Sequence, residues 1–388
     1  MKTKQSLLVF TNLFPNPKAK NKGIFIKQLT DSLVDYYDVT VVSPVAMNPI
    51  SLLLSLISKS TYLGRKVEKD NYSVFYPRYL IIPKIFRSLH WLSIFISTYS
   101  LVKSLNNSKK IDVISAHWIY PDASAAVLIG KMLKIKVSVH ALGCDINDYI
   151  NYYIRKKIIR KTLENADLIV TKSQALKDVI QNEFKNVKNI KVILNGIDKE
   201  LFKPMPKQQA RNELGIGSSQ KNLIFVGNFQ IEKGLDYLLD AMSLVLKNIN
   251  DVHLYVVGDG PLKSSVIRKI NALKLADNVH LMGAVSHDKL PVYFSAADFL
   301  CLPSLREGCP NVVLEALSCG TRIIASDVGA VPDILTSESL GFIHPPQDIN
   351  AMALTICKAL NSENISFDFD WYTWKENTQL IHQAFNEI

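Results

Sequence analysis

Residues 297–331, ADFLCLPSLREGCPNVVLEALSCGTRIIASDVGAV, admit few folds. The apolar run 299–303 is short enough for a buried parallel strand, and it ends in a polar loop carrying Arg306, Glu307 and Gly308. From 311 to 319 the apolar residues Val312, Val313, Ala316 and Leu317 recur at helical spacing, and Gly320 follows as a helix stop. Residues 321–326 read as the next strand. The unit is strand, loop, helix, strand, and its loop falls at the carboxyl edge, where open α/β sheets bind ligands. Glu307 lies in that loop and Glu315 on the helix, with seven residues between them. One carboxylate then faces a crevice from above and the other from about one helical turn in. Amides at the start of such a helix suit a phosphate. The bland alternative is two surface carboxylates beside a strand.

The same alternation runs through the chain. Apolar runs at 6–14, 38–45, 72–79, 111–117, 136–140, 168–172 and 190–194 read as strands, mostly with helical patterns between them. That pattern predicts a largely parallel sheet covered on both faces. Asn195-Gly196 and the polar segment 203–220, which holds two prolines and two glycines, read as a linker. A second alternation follows, with strands near 223–226, 253–257, 279–282, 299–303 and 321–326. At 388 residues the chain is expected to hold about two domains. These are two doubly wound, Rossmann-like α/β lobes, 1–200 and 201–369, with a crevice between them as the ligand site. Residues 370–388 are expected to form a last helix.

Composition narrows the functional classes. Five cysteines, an odd number without paired spacing, point to a reducing compartment and not to a disulfide framework. The apolar stretch 7–10 is too short for a secretion signal and reads as a first strand. The uncharged windows 39–58 and 88–102 are, respectively, broken by prolines and too short to span a bilayer. The net charge of +10 is concentrated in residues 1–110, which hold 16 Lys and Arg against 5 Asp and Glu. Nucleic acid, an anionic membrane or a phosphate-bearing acceptor would each suit such a face, but no nucleic-acid recognition motif accompanies it. Residues 83–105 place Ile85, Phe86, Leu89, Leu92, Ile96, Tyr99 and Val102 on a broad apolar side, with Lys84, Arg87 and Lys103 near the ends. This suits either a core helix or a membrane-interface helix.

The sequence Glu-Gly-x-Pro-Asn-Val-Val-Leu-Glu-Ala, from Glu307 through Gly308, Cys309, Asn311 and Val312 to Glu315, resembles the two-glutamate signature of the retaining glycosyltransferases of family 4. The two-lobed arrangement resembles their GT-B fold, in which the last helix returns to the first lobe. The resemblance implies transfer of a sugar from a nucleotide donor, with Glu307 on the transferred sugar's hydroxyls and Glu315 on the nucleotide ribose. Retention of anomeric configuration comes with the resemblance alone.

Other segments extend it. After the strand 223–226 comes VGNFQIEKG, where Lys233 would hold a diphosphate and neutralise charge as it leaves. The family usually carries an arginine at the position of Asn228, so here Lys233 would carry more of that task. Gly258 ends another strand, and Met282 and Gly283 are candidates to meet the base through their backbone groups. Gly23 follows three lysines, Lys18, Lys20 and Lys22, where the family has a glycine-rich loop near the donor phosphates. His117, at a strand end in SAHWIYPD, is assigned to the donor sugar and its reacting end, and His140 and Asp145 in SVHALGCD to the acceptor side. Cys309 is expected to pack, since no partner base adjoins it.

No Asp-x-Asp motif is evident near the crevice, so neither metal nor cofactor is expected. The expected partners are a UDP- or GDP-sugar and a saccharide acceptor carried on a lipid diphosphate. The expected place is the cytoplasm, peripherally on the inner face of the plasma membrane. A catalytically silent binding subunit, which Asn228 suggests, and a sugar-nucleotide 2-epimerase are the alternatives.

Overall fold

The computed structural model describes residues 4–16, 19, 22–48, 66–69, 71–81, 87–217, 220–363 and 365–388. The chain forms two compact units. The first is Met1–Gly196 with Trp374–Ile388, and the second is Ile197–Thr373.

The first unit is built on a sheet of order β10-β9-β8-β7-β1-β2-β5-β4. Its strands are β1 (Gln5–Phe10), β2 (Tyr37–Val42), β4 (Lys66–Glu68), β5 (Ser73–Phe75), β7 (Val113–His117), β8 (Lys136–Ala141), β9 (Leu168–Thr171) and β10 (Ile190–Val192). All described pairings are parallel except β4 with β5. β1 shows why both faces are covered. Leu8 and Phe10 point into one apolar cluster with Ile94, Val102 and Ile129, while Leu7 and Val9 point into another with Ile26, Leu29, Ile381 and Phe385. A strand alternates its side chains between faces, so a continuous apolar run needs a helical layer on each side. Helices His90–Ser108, Ser124–Leu133 and Tyr153–Glu164 contribute to the first cluster. Helices Ile24–Leu33 and Trp374–Phe385 contribute to the second. Each fully buried Leu, Ile or Phe contributes about 1.5–3 kcal/mol.

Two expected strands divide differently. The run 38–45 becomes β2 and β3 (Val45–Met47), and the run 72–79 becomes β5 and β6 (Arg78–Leu80). β3 and β6 pair with each other in a separate two-stranded sheet. Both divisions fall at a proline, Pro44 and Pro77, which lacks the N–H a ladder needs. β1 ends at Phe10 and not at Phe14, because the Asn12 amide turns to the buried carboxylate of Asp122, 2.6 Å away.

The second unit carries a six-stranded parallel sheet, β13-β12-β11-β14-β15-β16. Its strands are β11 (Lys221–Val226), β12 (Val252–Val257), β13 (Val279–Gly283), β14 (Phe299–Leu302), β15 (Arg322–Ser326) and β16 (Gly341–His344). The sequence reading lacks β16. The segment 203–220 is corrected from a linker. Helix Lys207–Leu214 occupies it, with Ala210 in a small cluster beside Ala296, while buried Arg211 donates to the Ala296 carbonyl at 3.0 Å and pairs with Asp298 at 3.0 Å. Helix Asn311–Ser318 joins β14 to β15.

Among the described residues no helix is long and apolar enough to cross a membrane. Helix His90–Ser108 buries Ile94, Thr98 and Val102 but leaves Leu92 and Ile96 exposed, Ile96 at 67%. Lys18, Lys20 and residues 83–86 lie outside the described residues, as does most of the loop 47–69.

Candidate active site

Because all strands of the second unit run parallel, the segments that leave β11, β12, β13 and β14 emerge on one edge of the sheet. Lys233 ends the short turn Ile231–Lys233 after β11, and Gly234 follows with φ 66°. A Cβ at Gly234 would lie 1.9 Å from the Pro303 carbonyl oxygen, so only glycine lets this turn press against the end of β14. The Leu305 amide donates to the Glu232 carbonyl at 2.8 Å and fastens the two loops.

That fastening sets Lys233 beside Glu307. Lys233 Nζ donates to Glu307 Oε1 at 2.7 Å, and the buried Ser304 hydroxyl donates to the same oxygen at 2.7 Å. The Glu307 side chain is only 10% exposed, so both bonds act where water screens them little.

Helix Asn311–Ser318 begins after Pro310 with no side chain capping it, and Asn311 and Val312 lie half-buried in its first turn. One turn on, Glu315 is 9% exposed and its Oε1 lies 2.8 Å from His287 Nε2. The hydrogen bond to Glu315 raises the His287 pKa above its ordinary value. Burial opposes the rise, and the charges of Glu315, Asp198 and Asp288 add to it. Gly308 is buried and its carbonyl accepts from the Ala330 amide at 2.8 Å, which ties the loop to the turn after β15, while Cys309 is half-buried. The Gly258 amide donates to the Gly283 carbonyl at 2.8 Å, with Met282 half-buried beside it. Asn228 is exposed, and its carbonyl accepts from the Gln230 amide at 2.8 Å.

In the first unit, neighbouring strands β7 and β8 place His117 opposite His140. Their rings stack at 4.2 Å, and Ser115 Oγ lies 3.2 and 3.1 Å from the two Nε2 atoms. Both are almost wholly buried. Burial, with Lys172 adding to it, pushes the His117 pKa down to about 3, and burial first and His117 second push His140 well below the ordinary value. Both imidazoles are therefore neutral near pH 7.

Asp145 is fully buried and accepts from the amides of Ile119 at 2.8 Å, Gly143 at 2.8 Å and Leu142 at 3.1 Å. Its carboxylate turns to the amides of the two loops and so fixes their shape. Burial raises its pKa to about 6 against these bonds. Gly23 has φ 61°, and a Cβ there would lie 2.0 Å from the Leu13 carbonyl oxygen, so the glycine serves close packing of the loop after β1.

Three side chains were missed by the sequence reading. His287, in SHDK after β13, looks like any polar helix start, and only its contact with Glu315 marks it. Ser304 lies three residues before Glu307, a spacing that permits the hydroxyl-to-carboxylate bond but does not announce it. Asp122 closes SAHWIYPD and is wholly buried, with Asn12 bound through its backbone and side-chain nitrogens at 2.6 and 3.0 Å. Its pKa is raised by burial to about 7.

Two Rossmann-like units with carboxylates and a lysine at one parallel edge define a GT-B glycosyltransferase. The family comparison agrees: the model for "Glycosyl transferases group 1" matches residues 206–376 and that for "Glycosyltransferase Family 4" matches 24–201. The chain belongs to the group 1, family 4 glycosyltransferases and is an enzyme of that type.

It is 26% identical over 261 residues to N-acetyl-alpha-D-glucosaminyl L-malate synthase of Bacillus anthracis, covering 66% of this chain and 67% of the relative. It is 26% identical over 349 residues to the putative teichuronic acid biosynthesis glycosyltransferase TuaC of Bacillus subtilis, covering 87% and 85%. The structure of Anabaena Alr3699/HepE in complex with UDP superposes with a TM-score of 0.71 at 17% identity, covering 99% of this chain and 100% of that one.

Proposed function

We propose that the chain moves a hexose, with retention, from a UDP- or GDP-sugar to a saccharide carried on a lipid diphosphate, at the cytoplasmic face of a bacterial membrane. The observation that carries the donor half is the pair Lys233–Glu307, set at the sheet edge beside the uncapped start of helix Asn311–Ser318. In this reading Lys233 takes the charge of the departing diphosphate, without a metal or other cofactor. Glu307 holds the transferred sugar's hydroxyls and Glu315 the ribose. Gly308, Cys309, Asn311 and Val312 present backbone groups to the phosphates. Met282 and Gly283 meet the base, Asn228 and Gly258 line the approach in the second unit, and Gly23 is the first unit's candidate for the donor phosphates. His117 acts on the reacting sugar, and His140 and Asp145 order the acceptor side.

UDP in the HepE complex supports the donor class, and the name of the TuaC relative supports a surface polysaccharide. For the lipid acceptor, support comes from the basic first 110 residues and from Leu92 and Ile96 exposed on helix His90–Ser108. Binding of UDP, GDP, ADP and their sugar conjugates, read by thermal shift, tests the donor half. One series is expected to stabilise the protein by mass action, and Lys233→Ala and Glu315→Ala to weaken it at least tenfold. Absence of binding at millimolar concentration would refute it.

A further inference from the structure

Resting on that donor-site reading, we infer that His287 is a positioning residue for Glu315, holding its carboxylate in the orientation that receives the ribose and balancing its charge. The geometry comes first. His287 Nε2 lies 2.8 Å from Glu315 Oε1, so one carboxylate oxygen is engaged by the ring and Oε2 is the one presented to a ribose hydroxyl. The imidazole is itself held: the Phe202 ring meets it edge-on, with centroids 5.1 Å apart at 69°. Glu315 is 9% exposed, and a carboxylate that deep is costly unless it is paired. Phe202 lies in the segment before helix Lys207–Leu214, and His287 in the turn His287–Lys289 after β13. Three separate stretches of the chain thus meet at His287.

The charged groups around the ring are Glu315, Asp198 and Asp288, with Lys289 acting on Asp288. Three carboxylates against one lysine favour the protonated ring. As pH rises and the ring loses its proton, Glu315 keeps its hydrogen bond but loses the balancing charge. The uncompensated carboxylate then stands close to the site proposed for an anionic diphosphate. Nucleotide affinity therefore falls through the titration of a residue that does not touch the nucleotide.

The test has two readouts on the full chain. The first is the His287 ring signal, followed by NMR from pH 5 to 9 in wild type and in Glu315→Gln. It is expected to titrate above the ordinary histidine value in wild type and to move down in the variant. The second is the Kd of UDP and of GDP by calorimetry from pH 6 to 9 in wild type, His287→Gln and His287→Ala, with thermal unfolding to confirm folding. Relative to wild type, His287→Gln is expected to lose about a fivefold pH-dependent component, keeping the alkaline affinity at every pH. His287→Ala is expected to weaken binding about tenfold throughout. If nucleotide binding requires Glu315 but shows the same pH profile in wild type and His287→Gln, this inference is overturned and the donor reading stands. If NMR shows the coupling and neither nucleotide binds at millimolar concentration, the donor reading falls and takes the inference with it.

Discussion

Lys233 Nζ and Glu307 Oε1 are 2.7 Å apart, although they come from loops separated by seventy-four positions in the chain. The cation and the carboxylate offset each other's charge. Ser304 supplies a second donor to the same oxygen. Removal of the lysine leaves a largely buried carboxylate with one hydroxyl donor. Lys233→Ala is expected to lower kcat/KM by about 10²–10³, in line with removal of one charged transition-state donor. Lys233→Arg should recover part of it, and Glu307→Gln should fail on its own. A double-mutant cycle on kcat/KM checks the coupling, because a common unit gives losses that are far from additive.

Gly234 creates that proximity. With φ 66° and the Pro303 carbonyl against its Cα, Gly234→Ala must shift the turn away from β14. A stability loss of about 2–4 kcal/mol is expected, from strain at a left-handed position together with the clash. Urea unfolding measures it, and activity should fall further than Tm, since Lys233 is displaced with the turn.

The stacked histidines are expected to weaken the first unit as pH falls, while buried Asp122 and Asp145, with raised pKa values, act in the opposite direction. The His117 pKa, about 3 when folded, lies below the ordinary 6.5. The unfolded chain therefore binds a proton that the folded one refuses, and stability falls as pH drops from about 6.5 toward 3. At pH 4 this one residue accounts for roughly 3 kcal/mol. His117→Gln removes the titration. Its urea midpoint should fall less steeply than that of wild type between pH 6.5 and 4, and identical slopes would contradict a buried neutral ring.

Asp145 accepts from three backbone amides, and asparagine offers one acceptor oxygen in place of two. Asp145→Asn is expected to destabilise the first unit by about 2–4 kcal/mol, read by chemical unfolding. A full-strength fold with lost activity would instead mean that this carboxylate meets substrate.

The strand-and-helix alternation was legible because its strands carry short buried apolar runs, such as Phe299–Leu302 and the Ile323, Ile324 and Ala325 of Arg322–Ser326. Helix Lys207–Leu214 was not, because it buries only Ala210 and Arg211 and its six other residues read as loop. β16 is four residues long with Ile343 facing outward, too short to show a period. At the site, Glu307, Glu315 and Lys233 stand out by residue type and spacing. His287 and Ser304 do not, because their roles come from partners twenty-eight and three positions away that only the fold or a loop turn brings near. The bonds of Asp145 were hidden for a related reason: nothing in SVHALGCD reveals that the loop folds its own amides onto the carboxylate.

The central claim is sugar transfer from a nucleotide donor to a lipid-borne acceptor, and acceptor-dependent release of nucleoside diphosphate tests it most directly. The measurement presents UDP- and GDP-hexoses with a lipid-diphosphate-linked saccharide in vesicles and quantifies the diphosphate released against glycosylated product. The account predicts that one donor is consumed in equal amount to product, only when acceptor is present, and at least a hundredfold more slowly by Glu307→Gln. Conversion of the donor in the absence of acceptor, or tight binding with no release across the acceptor set, would contradict it.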